Sequence, residues 1–128
     1  SGPGLENLHR AIADLDGIAV PARDPTGITR AGLSDECPVS RMALETFCAM
    51  LGSVAGNFAL TFRACGGVYI AGGIAPRIAD FLRHSEFRAR FEGKGRFRSF
   101  LERIPTNIIM HPNPSFPGLK ALAGTIAA

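Results

Sequence analysis

Apolar residues spaced three or four positions apart predict that most of this 128-residue chain is helical. A first helix begins at Ser1, which can cap it, and ends at Asp16-Gly17. Its apolar positions are Leu5, Leu8, Ile12 and Leu15. Proline and glycine predict a loop over residues 18–27, and a short helix from Ile28 to Ser34 follows it.

A long helix is predicted from Val39 to Ala64, and residues 46–62 within it carry no charge. Its inward face is predicted to comprise Met42, Phe47, Leu51, Val54, Phe58 and Phe62. Gly52 and Gly56 would permit close packing against a neighbouring element. The uncharged stretch approaches the length of a membrane span, but the polar and small residues within it favour a helix buried inside a soluble protein.

Two glycine pairs bracket a short apolar run in residues 66–77. The run, Val68 to Ala71, predicts a strand buried on both faces, and a tight turn at Gly72-Gly73 leads to a helix whose first position is Pro76. Without Cβ atoms at the turn, a phosphate could approach the backbone N–H groups and the positive end of the helix dipole. Close packing of strand and helix is the commoner use of such a pair. The stretch matches neither the G-x-G-x-x-G fingerprint nor a Walker A loop.

Three more helical segments and a second strand are predicted after this turn. The helices are Pro76 to His84, Ser85 to Glu92 and Gly95 to Arg103, the strand is Asn107 to Met110, and a closing helix runs from Ser115 or Phe116 to Ala127. Two strands joined through helices are expected to be parallel. A sheet of two short strands cannot satisfy its own edges or cover so many helices. We therefore expect the remaining strands either in sequence outside this chain or in a second copy.

The net charge of +3 is mild and does not by itself require an anionic partner. Basic residues interleave with phenylalanine in residues 77–103, which makes nucleic-acid binding an alternative function. The spacing of the rings decides against it, because aromatic residues three or four positions apart form buried stripes rather than exposed stacking platforms. The predicted stripes are Phe87 with Phe91, and Phe97 with Phe100 and Leu101.

The cysteine and histidine residues indicate no metal site. Three cysteines without a C-x-x-C pair favour reduced thiols in a cytoplasmic protein; they are Cys37, Cys48 and Cys65. The histidines lack a carboxylate or cysteine at ligand spacing and are expected on the surface or in packing; they are His9, His84 and His111. We expect neither a metal ligand nor a catalytic residue in this chain.

Several segments, in this order and spacing, resemble the C-terminal part of bacterial glucokinases. They are Ser1-Gly2-Pro3-Gly4-Leu5, the helix around Phe47 to Thr61, Gly66 to Arg77, Phe87 to Glu92, Lys94 to Phe97, Ile104-Pro105 and His111 to Pro114. The resemblance covers almost the whole chain. The sequence departs from it at Phe62-Arg63, where relatives tend to carry Leu-Gly, at Ala75, where a larger aliphatic is usual, and at Pro117. These departures bear on the adenine side of the site and on the last helix.

The resemblance implies an α/β chain that forms part of an actin-like (ribonuclease H-like) ATPase fold, mostly helical, with two short parallel strands and an incomplete sheet. Residues 1–128 would be a C-terminal fragment of a two-domain sugar kinase and would supply its nucleotide side. Gly72, Gly73 and Ile74 would bind the nucleotide. Gly2 and Gly4, close to a sugar-binding glutamate of the family, would line the cleft, and a tight helix start explains these two glycines equally well.

The function implied by the resemblance is phosphorylation of glucose by ATP, with Mg²⁺ on the phosphates. The expected enzyme is cytoplasmic and homodimeric and binds neither nucleic acid nor a membrane. In the family, the phosphate loop, the catalytic aspartate and the sugar-binding residues precede the stretch that this chain resembles, so the chain alone is expected to be inactive. Two alternatives stay open, a self-associating interaction module and a related sugar kinase with another hexose acceptor.

Overall fold

The computed structural model describes residues 2–110, so Ser1, His111 and the predicted closing helix lie outside the described residues. The elements in chain order are α1 (Gly2–Asp16), α2 (Pro25–Leu33), α3 (Pro38–Phe62), β1 (Val68–Ile70), α4 (Ala79–Arg83), α5 (Phe87–Glu92), a 3-10 turn (Gly95–Phe97), α6 (Arg98–Glu102) and β2 (Thr106–Ile108). The prediction of a mostly helical chain with two short strands is confirmed for this part of the chain.

Helix α3 is the central element, because α1, α2 and α5 all pack against it. Each of these four helices contributes at least one large, fully buried side chain to the core; examples are Leu5, Ile28, Leu44 and Phe91. Burial of each such side chain stabilises the fold by about 1.5–3 kcal/mol. By length and composition α3 is also apolar enough to cross a membrane, but one such helix is weak evidence, since the core helix of a soluble protein has the same properties.

The predicted inward face of α3 is largely wrong. Met42, Val54, Phe58 and Phe62 are exposed, while Phe47 and Leu51 are only partly buried. The buried positions are instead mostly small; they are Val39, Ser40, Ala43, Leu44, Cys48, Gly52, Ala55, Gly56 and Ala59. Small side chains let the backbones of neighbouring helices approach closely, so they form the packed face even though the larger residues are more hydrophobic.

Close packing at the two glycines of α3 is confirmed. A Cβ atom at Gly52 would lie 2.8 Å from the carbonyl carbon of Phe87, and one at Gly56 would lie 2.6 Å from the carbonyl oxygen of Phe91. Real Cβ atoms essentially never come this close to a backbone atom. The backbone of α5 therefore lies directly on α3 at these two positions.

The first two helices follow the prediction with two corrections. Gly17 ends α1 with φ at +64°, as its position suggests, but Leu15 is exposed rather than inward. Helix α2 begins at Pro25, three residues before the predicted start, because the Asp24 side chain caps it by accepting a hydrogen bond of 2.7 Å from the backbone N–H of Gly27.

Strands β1 and β2 are parallel, as predicted, with Val68 opposite Thr106 and Ile70 opposite Ile108. Val68 and Ile70 are buried, but Tyr69 on the opposite face is 62% exposed. The prediction of a strand buried on both faces is therefore wrong within the described residues, because burial alternates along β1 and only the face of Val68 and Ile70 is covered.

The segment between the strands contains both predicted aromatic stripes, and only one is fully buried. Phe87 and Phe91 are buried and stack on each other with their centroids 6.3 Å apart. Leu101 is buried and Phe100 partly so, but Phe97 is 44% exposed and lies under the Arg96 guanidinium at 5.0 Å, so its predicted burial is wrong. The 3-10 turn that precedes α6 explains this, since it breaks the helical spacing that the prediction assumed.

Arg88 joins α5 to the segment that leads into β2. Its Nη1 donates to the carbonyl oxygen of Ile104 at 2.8 Å, and its Nη2 donates to those of Leu101 and Glu102 at 3.1 and 3.2 Å. Its Nε lies 2.6 Å from a Glu92 carboxylate oxygen. One guanidinium thus satisfies the last carbonyl groups of α6 and positions the start of β2.

Candidate functional site

The candidate site is the glycine turn that follows β1. Ile70, the last residue of β1, accepts a hydrogen bond of 2.8 Å from the backbone N–H of Ile109 and so stays attached to the chain after β2. Gly72 and Gly73 are exposed, whereas Ile74 is buried and packs in the core. The turn therefore begins at a strand that is hydrogen-bonded to the chain after β2, and it ends at Ile74, which is held by the apolar core.

The space beside the two glycines is open. A Cβ atom built at Gly72 or at Gly73 would meet no atom within 4 Å. Gly72 has φ at +129°, a conformation that other residues rarely adopt. The glycines here are thus not explained by close packing of strand and helix, which was the alternative interpretation of the sequence.

The segment after the turn differs from the prediction. Residues 71–78 form bends and turns, and α4 begins at Ala79 rather than at Pro76. The backbone N–H groups of Arg77 and Ile78 donate to the carbonyl oxygen of Ile74 at 3.0 and 3.2 Å, which closes a single turn. Because α4 contains only five residues and starts beyond this turn, the predicted helix dipole directed at the glycines is wrong.

The other two predicted glycines lie in the first turn of α1. A Cβ atom at Gly2 would lie 3.3 Å from Cγ of Pro25, so Gly2 approaches the start of α2 closely. Gly4 is exposed, and a Cβ atom there would meet nothing within 4 Å. Close packing at the helix start explains the glycine at position 2. No packing contact explains the glycine at position 4, and the space beside it is open among the described residues.

Both candidate segments border the start of α2, which the sequence analysis did not single out. Pro25 contacts Gly2, and the neighbouring Thr26 accepts a hydrogen bond of 2.9 Å from Arg77 Nη1. Thr26 and Arg77 lie 51 positions apart in sequence. The Asp24-Pro25 pair was the available signal, since it marks a helix start inside the stretch that was predicted to be loop.

The described histidine and cysteine residues with shifted pKa values are buried in the helical core. His9 is 4% exposed, and its Nε2 lies 3.0 Å from Ser40 Oγ. Burial and the positive charge of Arg23 lower the pKa of His9. Burial raises the pKa of the Cys48 thiol to about 11, so this sulfur is held as a neutral thiol. Neither group has the exposure that a general base or nucleophile needs.

Cys37, the residue before α3, shows opposing influences. Burial raises the pKa of its thiol, but hydrogen bonds from the Ser40 side chain and from the backbone of Ser40 and Val39 lower it, and Arg23 adds to that effect. The net shift is downward, as is common at a helix N-terminus.

Among residues 2–110, no three His, Cys, Asp or Glu side chains cluster as a metal site. The first acidic residue after the glycine turn is Asp80, which pairs with Arg83 at 3.8 Å. The described residues therefore offer no all-protein cage for Mg²⁺, an ion that phosphoryl-transfer sites usually hold with one or two carboxylates and the phosphates. The open turn does suit the backbone of a nucleotide-binding wall, because no Cβ atom stands between its N–H groups and a ligand.

Comparison with known proteins gives one family. The family model described as glucokinase matches residues 1–126. A glucokinase of Paramagnetospirillum magneticum is 54% identical over 122 residues, which is 95% of this chain and 38% of that protein. A glucokinase of Citrobacter koseri is 49% identical over 121 residues, which is 94% of this chain and 38% of that protein.

A solved structure of a glucokinase is also similar to this chain. The crystal structure of a glucokinase from an Antarctic psychrotroph has a TM-score of 0.81 to this chain at 37% identity, and the match covers 88% of this chain and 35% of the other. This chain thus spans 38% of the length of the two curated relatives.

Proposed function

Because the chain belongs to the glucokinase family, we propose that it is part of a parent enzyme that transfers the γ-phosphoryl group of ATP to the 6-hydroxyl of glucose. The observation that carries this proposal is the match of the glucokinase family over residues 1–126. The open glycine turn after β1 supports it from the structure, since its uncrowded backbone N–H groups are accessible to a phosphate.

Within the parent enzyme, the chain supplies the nucleotide side of the cleft. Gly72 and Gly73 contact the adenosine and its α-phosphate through their backbone, and the buried Ile74 fixes the end of the turn. Gly4 and, with less space, Gly2 line the cleft near the sugar. The contact between Arg77 and Thr26, together with that between Gly2 and Pro25, supports this arrangement because both candidate segments meet at the start of α2.

The catalytic base and the sugar ligands belong to the rest of the parent enzyme. The buried His9, which hydrogen-bonds Ser40, is unsuited to take the proton of a sugar hydroxyl. Mg²⁺ is held by the nucleotide phosphates and by residues outside the described part of the chain, since residues 2–110 offer no cluster of three possible ligands. The bound ion would neutralise charge on the phosphates during transfer.

The same reasoning gives the proposed fold of the parent. The two-stranded parallel sheet, with Tyr69 exposed on one face, fits an actin-like (ribonuclease H-like) domain whose other strands come from the rest of a two-domain kinase. The parent is a cytoplasmic homodimer. The three free cysteines support a reducing compartment.

A coupled assay tests the proposal. The full-length parent should produce ADP only when glucose and MgATP are both present, and the 128-residue chain should produce none. Mannose, fructose and galactose in place of glucose distinguish a glucokinase from a related kinase with another hexose acceptor. Activity of the isolated chain, or the absence of glucose-dependent ADP production by the parent, would contradict the proposal.

A second candidate function, self-association, is favoured by the exposed face of α3. Met50, Val54, Phe58 and Phe62 lie at intervals of four residues along this face and are all more than half exposed. The rings of Phe58 and Phe62 lie 4.7 Å apart and form one apolar surface. Sedimentation velocity of the chain at increasing concentration tests this function, with Phe58→Ser/Phe62→Ser as the matched variant, and a strict monomer would count against it.

A further inference from the structure

Within residues 2–110, the contacts that hold the glycine turn in place are made by the residues that flank it. No atom of the described residues lies within 4 Å of a Cβ position at Gly72 or Gly73, so the space beside the turn is open in this part of the chain. Glycine loses more conformational freedom on ordering than any other residue, so fixing the backbone of two glycines has a large entropic cost. A ligand that binds the turn must supply this cost unless the flanks have already ordered the backbone.

The upstream flank is fixed by the sheet and the downstream flank by a relay of two contacts. On the upstream side, Ile109 donates to the carbonyl oxygen of Ile70. On the downstream side, the carbonyl oxygen of Ile74 accepts from the N–H of Arg77 at 3.0 Å. The Arg77 guanidinium then donates to Thr26 Oγ1 at 2.9 Å.

Thr26 lies on a well-ordered part of the fold, the first turn of α2. It follows Pro25 in the first turn of α2, whose start is capped by Asp24, and Ile28 two residues later is fully buried. The Arg77 bond crosses 51 positions of sequence and attaches the single turn at Ile74 to a separate helix. An exposed arginine would otherwise move freely, so the contact restrains the chain after the turn.

We propose that Arg77 and Thr26 form a positioning pair that preorganises the Gly72-Gly73 turn for the nucleotide, an inference that rests on the proposed nucleotide role of that turn. Neither residue is a catalytic residue. Their bond lowers the conformational cost of ATP binding and leaves the chemistry at the sugar unchanged. Loss of the bond therefore raises the KM for ATP and leaves kcat and the KM for glucose nearly unaltered.

The test uses the full-length parent with Thr26→Val, which removes the acceptor hydroxyl and keeps the shape of the side chain. A net hydrogen bond of this kind corresponds to about a three- to tenfold change in affinity. The KM for ATP, and the dissociation constant of MgADP measured by calorimetry, should both rise by this factor. Thr26→Ser, which keeps the hydroxyl, should restore both values.

A double-mutant cycle separates positioning from general destabilisation. Arg77→Met should weaken MgADP binding as much as Thr26→Val does, and the double variant should be no weaker than either single variant. Arg83→Met is the matched control, because Arg83 is an exposed arginine paired only with Asp80 across 3.8 Å among the described contacts. It should leave nucleotide affinity unchanged.

The outcomes distinguish this inference from the proposed function. A parent that phosphorylates glucose normally, with unchanged MgADP affinity in Thr26→Val and Arg77→Met, overturns the positioning pair and leaves the proposed function intact. Additive losses in the double variant also overturn it. A parent without glucose-dependent activity contradicts the proposed function, while the calorimetric comparison still decides the inference; a parent that binds no MgADP overturns both.

Discussion

Two pairs of glycines, one spaced four residues apart within α3 and one adjacent after β1, occupy opposite environments in the structure. Gly52 and Gly56 on α3 lie against the backbone of α5, where an added Cβ atom would overlap the carbonyl groups of Phe87 and Phe91. Gly72 and Gly73 follow β1, where an added Cβ atom would meet nothing within 4 Å. The first pair serves the packing of the fold. The second pair has no packing reason to be glycine and is therefore free to serve a ligand.

The comparison shows how to separate the two uses of glycine. A glycine inside a helix destabilises it by roughly 0.5–1 kcal/mol relative to alanine, so a glycine at such a position needs a compensating contact. In α3 that contact is visible. At the turn after β1, the positive φ of Gly72 explains a glycine at that position. Gly73 has neither a positive φ nor a packed neighbour among the described residues, and a bound nucleotide is the proposed reason for it.

The largest effect on stability is expected from a substitution at Gly52, one of the two packed glycines of α3. Gly52→Ala places a Cβ atom 2.8 Å from the carbonyl carbon of Phe87. Because this carbon belongs to the backbone, no side-chain rotation can relieve the overlap. We expect the free energy of unfolding of the parent to fall by about 3 kcal/mol or more, because overpacking outweighs the gain in helix propensity. Urea unfolding followed by circular dichroism measures this loss.

Gly73→Ala is the control for this substitution. Its Cβ atom enters open space, so we expect the free energy of unfolding to change by less than about 0.5 kcal/mol. If both substitutions destabilise the protein equally, or if Gly52→Ala is tolerated, the contrast between the two pairs is wrong.

The second prediction tests the segment that Gly52 and Gly56 support. Arg88→Met removes the donor to three backbone carbonyl groups and leaves the partly buried Glu92 carboxylate without its 2.6 Å partner. We expect a loss of about 2 kcal/mol in the free energy of unfolding. Arg90→Met, an exposed arginine on the same helix, should change it by less than about 0.5 kcal/mol. Equal effects would contradict the joining role of Arg88.

The sequence predicted the existence of the elements better than their orientation. Breakers and caps located α1, α3 and both strands to within a few residues, because these signals are local. The buried face of α3 could not be found in the same way. Phe58 and Phe62 are the most hydrophobic choices for a core, yet small residues such as Ala55 and Ala59 are buried, since the approach of neighbouring helices decides the face.

The site was predictable only in part. The Gly72-Gly73 turn was predicted because adjacent glycines after a short apolar run indicate a turn, while its role in binding a nucleotide stays a prediction. The start of α2 at Pro25 and its contact from Arg77 were missed, since a hydrogen bond across 51 positions leaves no pattern in a single sequence. The helix predicted from Pro76 was wrong because the chain first closes a separate turn at Ile74.

The third prediction addresses the open pair through function rather than stability. Gly73→Val places a branched side chain where the proposed nucleotide contacts the backbone. We expect the KM of the parent for ATP to rise about tenfold, which corresponds to roughly 1.4 kcal/mol, with little change in the melting temperature. Steady-state kinetics and thermal unfolding measure the two quantities. A normal KM for ATP would show that the open space has another use.

The smallest expected effect is on the pH dependence of the melting temperature, and it concerns the buried contact between Ser40 of α3 and His9 of α1. Burial and then Arg23 lower the pKa of His9 below its ordinary value of 6.5, so the folded protein favours the neutral ring. The unfolded chain binds the proton more readily, and this contribution to stability is therefore complete above about pH 6.5 and is lost as the pH falls towards and through the lowered pKa. His9→Gln should make the decline in melting temperature below this pH shallower than in the parent. An identical decline in both proteins would mean that the α1–α3 contact does not depend on the charge of His9.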